Sequence, residues 1–213
     1  ASLRGKIDAP LTEGSLARVL WPLVDLLTKP GGARDRQLLL GADVTVIDHD
    51  QGHAYVMAQR DGYCGWVPEA SVGAAPQPTH WVQAPATHLY QGPKVQAPEI
   101  ASLSLGARLA VTATTGTWAE TSIGFAPLTC LSPLDRPAPD PVAVAESLIN
   151  TPYLWGGNSR AGLDCSGLVQ LALHAAGHDC PGDSDLQMAL GHGLADDAPL
   201  HRGDLLFWKG HVA

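Results

Sequence analysis

The chain has 213 residues, 45% of them hydrophobic, and a formal net charge of -8. Such a chain can bury one large core or several small ones, as a soluble globular protein does. Its 13 Lys and Arg residues are scattered, which excludes nucleic acid as a partner because phosphate binding needs clustered basic side chains. No stretch reaches the ~18 apolar residues that a membrane-spanning helix needs, so no membrane span is predicted.

The cysteines are far apart and form no Cys-x-x-Cys pair. This spacing predicts neither a zinc site nor a disulfide scaffold, and nothing in the sequence indicates a cofactor. Free thiols favour a reducing compartment, so we expect a cytoplasmic monomer; a periplasmic or secreted location is the alternative if a signal peptide has been removed. His174 and His178 have metal-ligand spacing, but without an intervening Glu or a third ligand they are interpreted as ordinary helix residues. The cysteines are Cys64, Cys130, Cys165 and Cys180.

An internal repeat occupies the N-terminal part of the chain. Residues 26–72 parallel residues 89–131, with Leu-Gly in the middle of each copy and Gly-aromatic-x-Pro near its end. The segments "ADVTVID" and "ARLAVTA" alternate apolar and polar residues, which is the period of half-buried strands. Each copy is therefore predicted to form a small β-barrel. The order of these elements resembles that of bacterial SH3 (SH3b) domains, over about residues 16–133.

A proline-rich segment follows the second copy. "SPLDRPAPDP" has four prolines in ten residues, which predicts a semi-rigid extended linker. Apolar residues at helical spacing then predict a helix from Val142 that ends before Pro152. The predicted organisation is an N-terminal extension with the first SH3b domain (1–75), a second SH3b domain (76–133), the linker (134–141) and a third unit (142–213).

The third unit places a cysteine between a glycine-rich turn and an apolar helix. "SGLVQLALHAAG" is too broadly apolar for a surface helix and predicts a buried helix that ends at Gly177. Cys165 lies in its first turn, where unpaired amides and the helix dipole favour a thiolate. Asp164 or Ser166 is expected to cap this helix. The alternative is that Cys165 is simply a small buried apolar residue.

A histidine follows near the end of the sequence. In "APLHRGDLLFWKGHVA", a β-like run is followed by a Lys-Gly turn and by His211 in another β-like segment. A Cys at a helix start with a His on a strand is typical of papain-like thiol hydrolases, in which the imidazole takes the thiol proton and later gives it to the leaving amine. We expect Trp155 to pack beneath the glycine turn and Trp208 to pack in the core.

Three segments, "PYLWGGNSRAGLDCSGLVQ", "PGDSDLQ" and "HRGDLLFWKGHVA", together resemble the NlpC/P60 family of bacterial cell-wall cysteine peptidases. The resemblance implies an α+β fold in which two SH3-like barrels precede a papain-like catalytic domain. It implies Cys165 as the nucleophile and His211 as the general base. The family's third catalytic residue, a polar side chain that orients the imidazole, would lie beyond Ala213, so the catalytic domain is expected to be cut short in this sequence.

The same resemblance implies residues that bind the substrate. Asp183 would face the substrate's free N-terminal amine, with Ser184 in the same pocket, and Tyr63 of the first SH3b unit would cover that pocket. Asp164 and Ser166 flank the nucleophile and are expected to be pocket walls, caps or both. As alternatives, Asp183 would cap a short helix and Tyr63 would pack on its own barrel.

The function implied is hydrolysis of the bond between γ-D-Glu and a diamino acid, meso-diaminopimelate, in peptidoglycan stem peptides that begin with free L-Ala. Two alternatives stay open. The chain would be a cell-wall binding protein in which the SH3b pair binds peptidoglycan and the catalytic unit is degenerate, or an amidase or acyltransferase that uses the same thiol on another carbonyl.

Overall fold

A computed structural model describes residues 12–195 and 197–213. The predicted N-terminal extension lies largely outside the described residues. Within them, short β-strands predominate and a few helices follow near the C-terminal end. This arrangement agrees with the α+β class predicted from the sequence.

The first barrel is a seven-stranded antiparallel sheet in the order β3-β2-β6-β5-β4-β1-β7. Strand β1 pairs with both β4 and β7, which closes the sheet around a core that includes Leu26, Val44 and Val67. A 3-10 turn at Glu69–Ser71 precedes the last strand. The strands are β1 Ser15–Val19, β2 Leu23–Leu27, β3 Arg34–Leu39, β4 Asp43–Asp50, β5 His53–Ala58, β6 Cys64–Pro68 and β7 Val72–Gly73.

The second barrel repeats this plan with shorter strands. Strand β8 pairs with β11 and β15 as β1 pairs with β4 and β7, while β10, β9, β14, β13 and β12 form a five-stranded sheet. A 3-10 turn at Leu128–Cys130 again precedes the last strand. The strands are β8 His80–Val82, β9 Ala86–Tyr90, β10 Glu99–Ser104, β11 Arg108–Leu109, β12 Val111–Thr115, β13 Trp118–Thr121, β14 Gly124–Pro127 and β15 Leu131–Pro133.

The proline-rich segment is packed rather than free. The amide of Ala138 donates to the carbonyl of Ala175 at 2.7 Å. Helix α1, Pro141–Ser147, then begins with Asp140 as its side-chain cap. It ends before Pro152, as predicted, and Asn150 then adopts φ 68, which a right-handed helix does not allow.

The third unit is built around one buried helix. Helix α2, Cys165–Ala175, ends with Gly177 at φ 83, as the sequence predicts. A short hairpin precedes it, a one-turn helix follows it, and a second hairpin packs against it. These elements are β16 Asn158–Ser159, β17 Gly162–Leu163, α3 Ser184–Gln187, β18 Phe207–Trp208 and β19 His211–Val212.

One hydrophobic core joins α2 to the second barrel. Leu171 and Ala175 of α2 belong to the same buried cluster as Leu103 and Leu105 of that barrel. A Cβ added to Gly106 would lie 3.0 Å from a methyl carbon of Leu171, so the glycine permits this close approach. The second barrel therefore supports one side of α2 and leaves the N-terminus of the helix to the first barrel.

Candidate active site

Cys165 is the first residue of α2, and Asp164 caps the helix. Asp164 Oδ1 accepts hydrogen bonds from the Gly167 amide at 2.6 Å and from the Ser166 hydroxyl at 3.3 Å. Its other oxygen accepts from the Gly156 amide at 2.9 Å, which ties the glycine turn to the helix start. Because the cap takes the Gly167 amide, the first-turn amides of Cys165 and Ser166 are left for another acceptor.

The glycine turn before the cysteine must come very close to the first barrel. Gly156 has φ +68, and a Cβ there would lie 2.6 Å from the carbonyl oxygen of Asp35. The amide of Asn158 donates to Gln37 Oε1 at 3.1 Å, and Arg34 Nε donates to the carbonyl of Trp155 at 3.1 Å. The edge strand β3 is therefore docked directly beside the turn that leads to Cys165.

The Cys165 thiol is neither sealed in the interior nor fully exposed. Cys165 packs at the margin of a small core formed by Val169, Cys180 and Val212. Burial, as the main cause, raises the pKa of the Cys180 thiol to about 11, so Cys180 stays protonated at neutral pH. Of the two cysteines in this small core, Cys165 is the partly open one, and it lies at the helix start, where a thiolate is favoured.

His211 lies on β19, the strand that packs against α2. Its neighbour Val212 is 2% exposed in the core that Cys165 also contacts, whereas His211 itself is exposed. The imidazole lies against Trp208, with 5.7 Å between the ring centroids. Strand β19 therefore packs on the same small core as Cys165, and a contact between the His211 imidazole and the Cys165 thiol stays a prediction.

Two tryptophans expected to be packed against other segments are on the surface instead. Trp155 is 60% exposed and Trp208 is 55% exposed. Trp155 belongs to the turn before Cys165, and Trp208 faces His211. The expectation that both rings are packed was wrong, since an apolar side chain in a turn is buried only where another segment covers it.

Tyr153 lies near Cys165 and Asp164, and the sequence reasoning did not single it out. Partial burial first, and then the charges of Cys165 and Asp164, raise the pKa of its hydroxyl. The phenol therefore remains protonated, a hydrogen-bond donor on the same side as the thiol. The signal for it was its position at the start of the "PYLWGG" segment, next to the glycine turn.

Asp183 and Tyr63 come together across the boundary between the first barrel and α3. Tyr63 donates from its hydroxyl to Asp35 Oδ2 at 3.1 Å, and a Cβ on Gly182 would lie 2.9 Å from the Tyr63 ring. Asp183 precedes α3, but its side chain makes no capping hydrogen bond. We call Asp35, Tyr63 and Asp183 the acidic cluster; Asp35 was not found from the sequence.

Charge and burial reinforce one another within the acidic cluster. Burial, followed by the charges of Asp183 and Asp35, raises the pKa of Tyr63, which stays a neutral donor. Burial also raises the pKa of Asp183, with Asp185 and Asp35 adding to the rise, while Arg36 and Tyr63 oppose it. Two carboxylates around one phenol can accept hydrogen bonds from a positively charged ligand group.

A buried glutamine fixes the segment that carries Asp183. Gln187 is 0% exposed, and its amide donates to the carbonyl of Ser166 at 3.0 Å and of Pro181 at 2.9 Å. Ser184 opens α3 and is half-buried. Ser166 is 7% exposed, so its hydroxyl serves the Asp164 cap; its predicted role toward substrate stays a prediction, as does that of Ser184.

No three His, Cys, Asp or Glu side chains form a metal-binding group among the residues that the structure describes. His174 lies against the carbonyl of Cys180 at 3.1 Å, and burial, as the main cause, lowers its pKa to about 4. His178 is exposed. In the described part of the chain, no helix is long and apolar enough to span a membrane.

Two family models match the chain. The NlpC/P60 family matches residues 150–213. The bacterial dipeptidyl-peptidase SH3 domain matches residues 26–72, which lie in the first barrel. Both resemblances drawn from the sequence are confirmed by these matches.

Curated relatives carry names that describe peptidases. A γ-D-glutamyl-L-lysine dipeptidyl-peptidase of Bacillus cereus is 27% identical over 206 residues, covering 82% of this chain and 60% of the relative. Dipeptidyl-peptidase 6 of Lysinibacillus sphaericus is 40% identical over 72 residues, covering 34% of this chain and 27% of the relative. The chain thus spans about 60% of the length of the first relative.

A solved structure shares the fold. The crystal structure of an NlpC/P60 family protein from Bacillus cereus superposes with a TM-score of 0.79 and 22% identity, covering 93% of this chain and 86% of that chain. The predicted fold class, SH3-like barrels followed by an NlpC/P60 domain, is confirmed. The exact domain boundaries stay predictions.

Proposed function

We propose that this chain, whose residues 150–213 match the NlpC/P60 family, is a cysteine endopeptidase of peptidoglycan stem peptides. It hydrolyses the bond between γ-D-Glu and the diamino acid, meso-diaminopimelate, in peptides that begin with a free L-Ala. The observation that carries the proposal is a partly exposed thiol at the start of a buried helix, in a unit whose Asp183 meets Tyr63 and Asp35 of the first barrel in the acidic cluster.

The chemistry follows from the helix start. The Cys165 thiolate attacks the γ-carbonyl carbon of D-Glu, and the oxyanion accepts hydrogen bonds from the first-turn amides of Cys165 and Ser166. His211 protonates the leaving amine of the diamino acid, which leaves a thioester on Cys165. Water then attacks the thioester with His211 as general base, and the L-Ala-γ-D-Glu dipeptide is released.

Selection for a free amine follows from the acidic cluster. An N-terminal ammonium placed against Asp183 and Asp35 satisfies both carboxylates with charge-assisted hydrogen bonds. A peptide whose amine is acylated would leave a half-buried carboxylate without its partner, which costs several kcal/mol. The enzyme would then act on turnover fragments, because the stem peptide of intact wall has no free amine.

The names of the relatives support a peptidase of this substrate class, and they give L-lysine as the diamino acid of those proteins. The choice of meso-diaminopimelate is a prediction that needs both substrates side by side. Four free cysteines agree with a reducing compartment, and we keep the cytoplasm as the proposed location.

The test is incubation of the purified protein with L-Ala-γ-D-Glu-diaminopimelate and with the L-lysine peptide, followed by mass spectrometry. We expect L-Ala-γ-D-Glu and the free diamino acid, and no products from the Cys165→Ala variant. A binding protein with a degenerate catalytic unit would bind the peptide equally well in both forms and cleave nothing. An amidase or acyltransferase would cut or transfer at a different carbonyl, which the product masses reveal.

A further inference from the structure

A buried arginine lies beneath the acidic cluster. Arg36 is 4% exposed although it carries a permanent charge. One terminal nitrogen donates to the carbonyl of Gly182 at 2.8 Å and the other to Gln170 Oε1 at 2.7 Å. Arg36 therefore contacts the residue that immediately precedes Asp183.

The hydrogen-bond partners of the Arg36 guanidinium are neutral groups. In the part of the chain that the structure describes, Arg36 makes no ion pair with a carboxylate within 4.0 Å. Its guanidinium carbon lies 5.2 Å from the centroid of the Tyr63 ring, a cation–π arrangement. A buried cation without a direct partner is unfavourable unless opposite charges lie just beyond contact.

The carboxylates of the acidic cluster supply those opposite charges. Tyr63 packs on Arg36 and donates to Asp35, and Asp183 follows the carbonyl that Arg36 holds. Asp35, Asp183 and Arg36 together carry one net negative charge, and the exposed Asp185 lies outside this set. A single ammonium group neutralises that charge, whereas two neighbouring carboxylates without the arginine would tend to share a proton.

We propose that Arg36 is a positioning residue that holds the backbone before Asp183 and keeps Asp183 ionised beside Asp35, so that the acidic cluster carries one net charge for one ammonium. The inference rests on the proposed function and deepens it. Arg36 does not touch the substrate; it acts through Asp183.

The same arginine ties the acidic cluster to the nucleophile. Gln170, which accepts from Arg36, lies on the helix that begins with Cys165. The side-chain amide nitrogen of Gln170, Nε2, donates to Asp61 Oδ2 at 2.8 Å and to the carbonyl of Cys180 at 3.0 Å. These hydrogen bonds therefore fix the distance between the acidic cluster, where the substrate's ammonium would bind, and the Cys165 thiol.

The test compares Arg36→Gln with Arg36→Lys and with a control, Arg18→Gln. Arg18 belongs to the same barrel and pairs with Asp43, away from the acidic cluster. The charged and titratable groups that face Asp183 are Arg36, Asp35, Asp185 and Tyr63. The readouts are kcat/KM against pH and the titration of the Asp183 carboxyl carbon by 13C NMR.

Arg36→Gln is expected to move the acid limb of kcat/KM and the Asp183 titration upward by about one pH unit, since an opposite charge nearby favours the ionised carboxyl. KM for the free-amine peptide rises while kcat changes little. Arg36→Lys keeps the acid limb near its original position, and Arg18→Gln leaves both readouts unchanged. An unchanged Asp183 titration in folded Arg36→Gln overturns the inference.

A separate variant covers the case in which Arg36→Gln does not fold. Asp35→Asn retains Arg36 and removes the like charge, so the Asp183 titration and the acid limb move downward; no movement overturns the inference. The NMR titration needs no turnover. A protein that shows the titration shifts but does not cleave the peptide refutes the proposed function and leaves the charge arrangement standing.

Discussion

The two barrels share one strand plan but differ in what they present to the rest of the chain. In both, the edge strand pairs with its neighbour through a bulge, at Leu26/Leu27 in the first and Glu99/Ala101 in the second. The bulged residue is Asp35 in the first barrel and Ile100 in the second. Because a bulge re-aims a side chain, the same irregularity presents a carboxylate in one copy and a methyl group in the other.

The remaining equivalent positions show the same division. Aligning the Leu-Gly and Gly-aromatic pairs of the repeat places Ala101 opposite Arg36 and Ser122 opposite Tyr63. The second copy thus has no carboxylate, guanidinium or phenol at these positions and contributes apolar contacts to α2. The two copies therefore share a strand plan, but the first is the copy whose charged side chains meet Asp183.

Removal of the predicted base, His211, is expected to lower the rate of hydrolysis more than any substitution in the acidic cluster or the barrels. His211→Ala should lower kcat by about 10^4-fold, because both proton transfers lose their carrier. Steady-state kinetics on the free-amine peptide measure the change. His178→Ala, which removes an exposed histidine elsewhere, is the matched control; equal losses in both variants would contradict the role of His211.

Neutralising the selector should have the next largest effect. Asp183→Asn is expected to lower kcat/KM for the free-amine peptide by about 10^3-fold, since a partly buried ammonium loses its charged partner. The loss should fall mainly on KM. Unchanged kinetics would show that the first barrel and α3 do not select the amine.

The supporting role of the second barrel is tested through stability. Leu171→Ala removes a side chain that is 6% exposed in the shared core, and the free energy of unfolding should fall by about 3 kcal/mol. Urea denaturation measures it. Leu16→Ala, at a residue 82% exposed, is the control and should change the free energy of unfolding by less than about 0.5 kcal/mol. A change as small as this for Leu171→Ala would contradict the claim that packing against the second barrel stabilises α2.

Acid should weaken the region where the first barrel contacts the end of α2. Arg60 donates to the carbonyl of His174 at 2.8 Å, and burial lowers the His174 pKa from 6.5 to about 4. The unfolded chain therefore binds the extra proton first, and stability is lost as the pH falls from about 6.5 toward 4, by about 2 kcal/mol. His174→Gln, which keeps a donor for Cys180, should reduce this pH dependence in urea titrations; an unaltered slope would contradict it.

The smallest expected effect comes from two equivalent substitutions, one in each barrel. Tyr63→Phe removes the hydroxyl bond to Asp35 and should lower kcat/KM for the free-amine peptide about tenfold. Ser122→Ala makes the equivalent change in the second barrel and should have no effect. Equal effects of the two substitutions would mean that the repeat is functionally symmetrical.

Local signals allowed much of the fold to be predicted. The repeat identified both barrels, and the apolar run with its glycine stop predicted α2 with Cys165 in its first turn. Helix α1 ends before Pro152, as the sequence indicates, and Asn150 with φ 68 follows it.

The site was predictable only in part. The segments that contain Cys165, His211, Tyr63 and Asp183 are recognisable in the sequence. Asp35 and Arg36 could not be found in this way, because they contact residues more than a hundred positions away in sequence, such as Gly182. Hydrophobic periodicity carries no information about such contacts. The exposure of Trp155 likewise depends on which distant segments pack near its turn.

The most direct measurement compares kcat/KM of the unaltered protein for L-Ala-γ-D-Glu-diaminopimelate and for the same peptide with an acetylated N-terminus. If an ammonium must meet the carboxylates of the acidic cluster, the free peptide is preferred by at least about 100-fold. Cleavage of both peptides at the same rate would contradict the account.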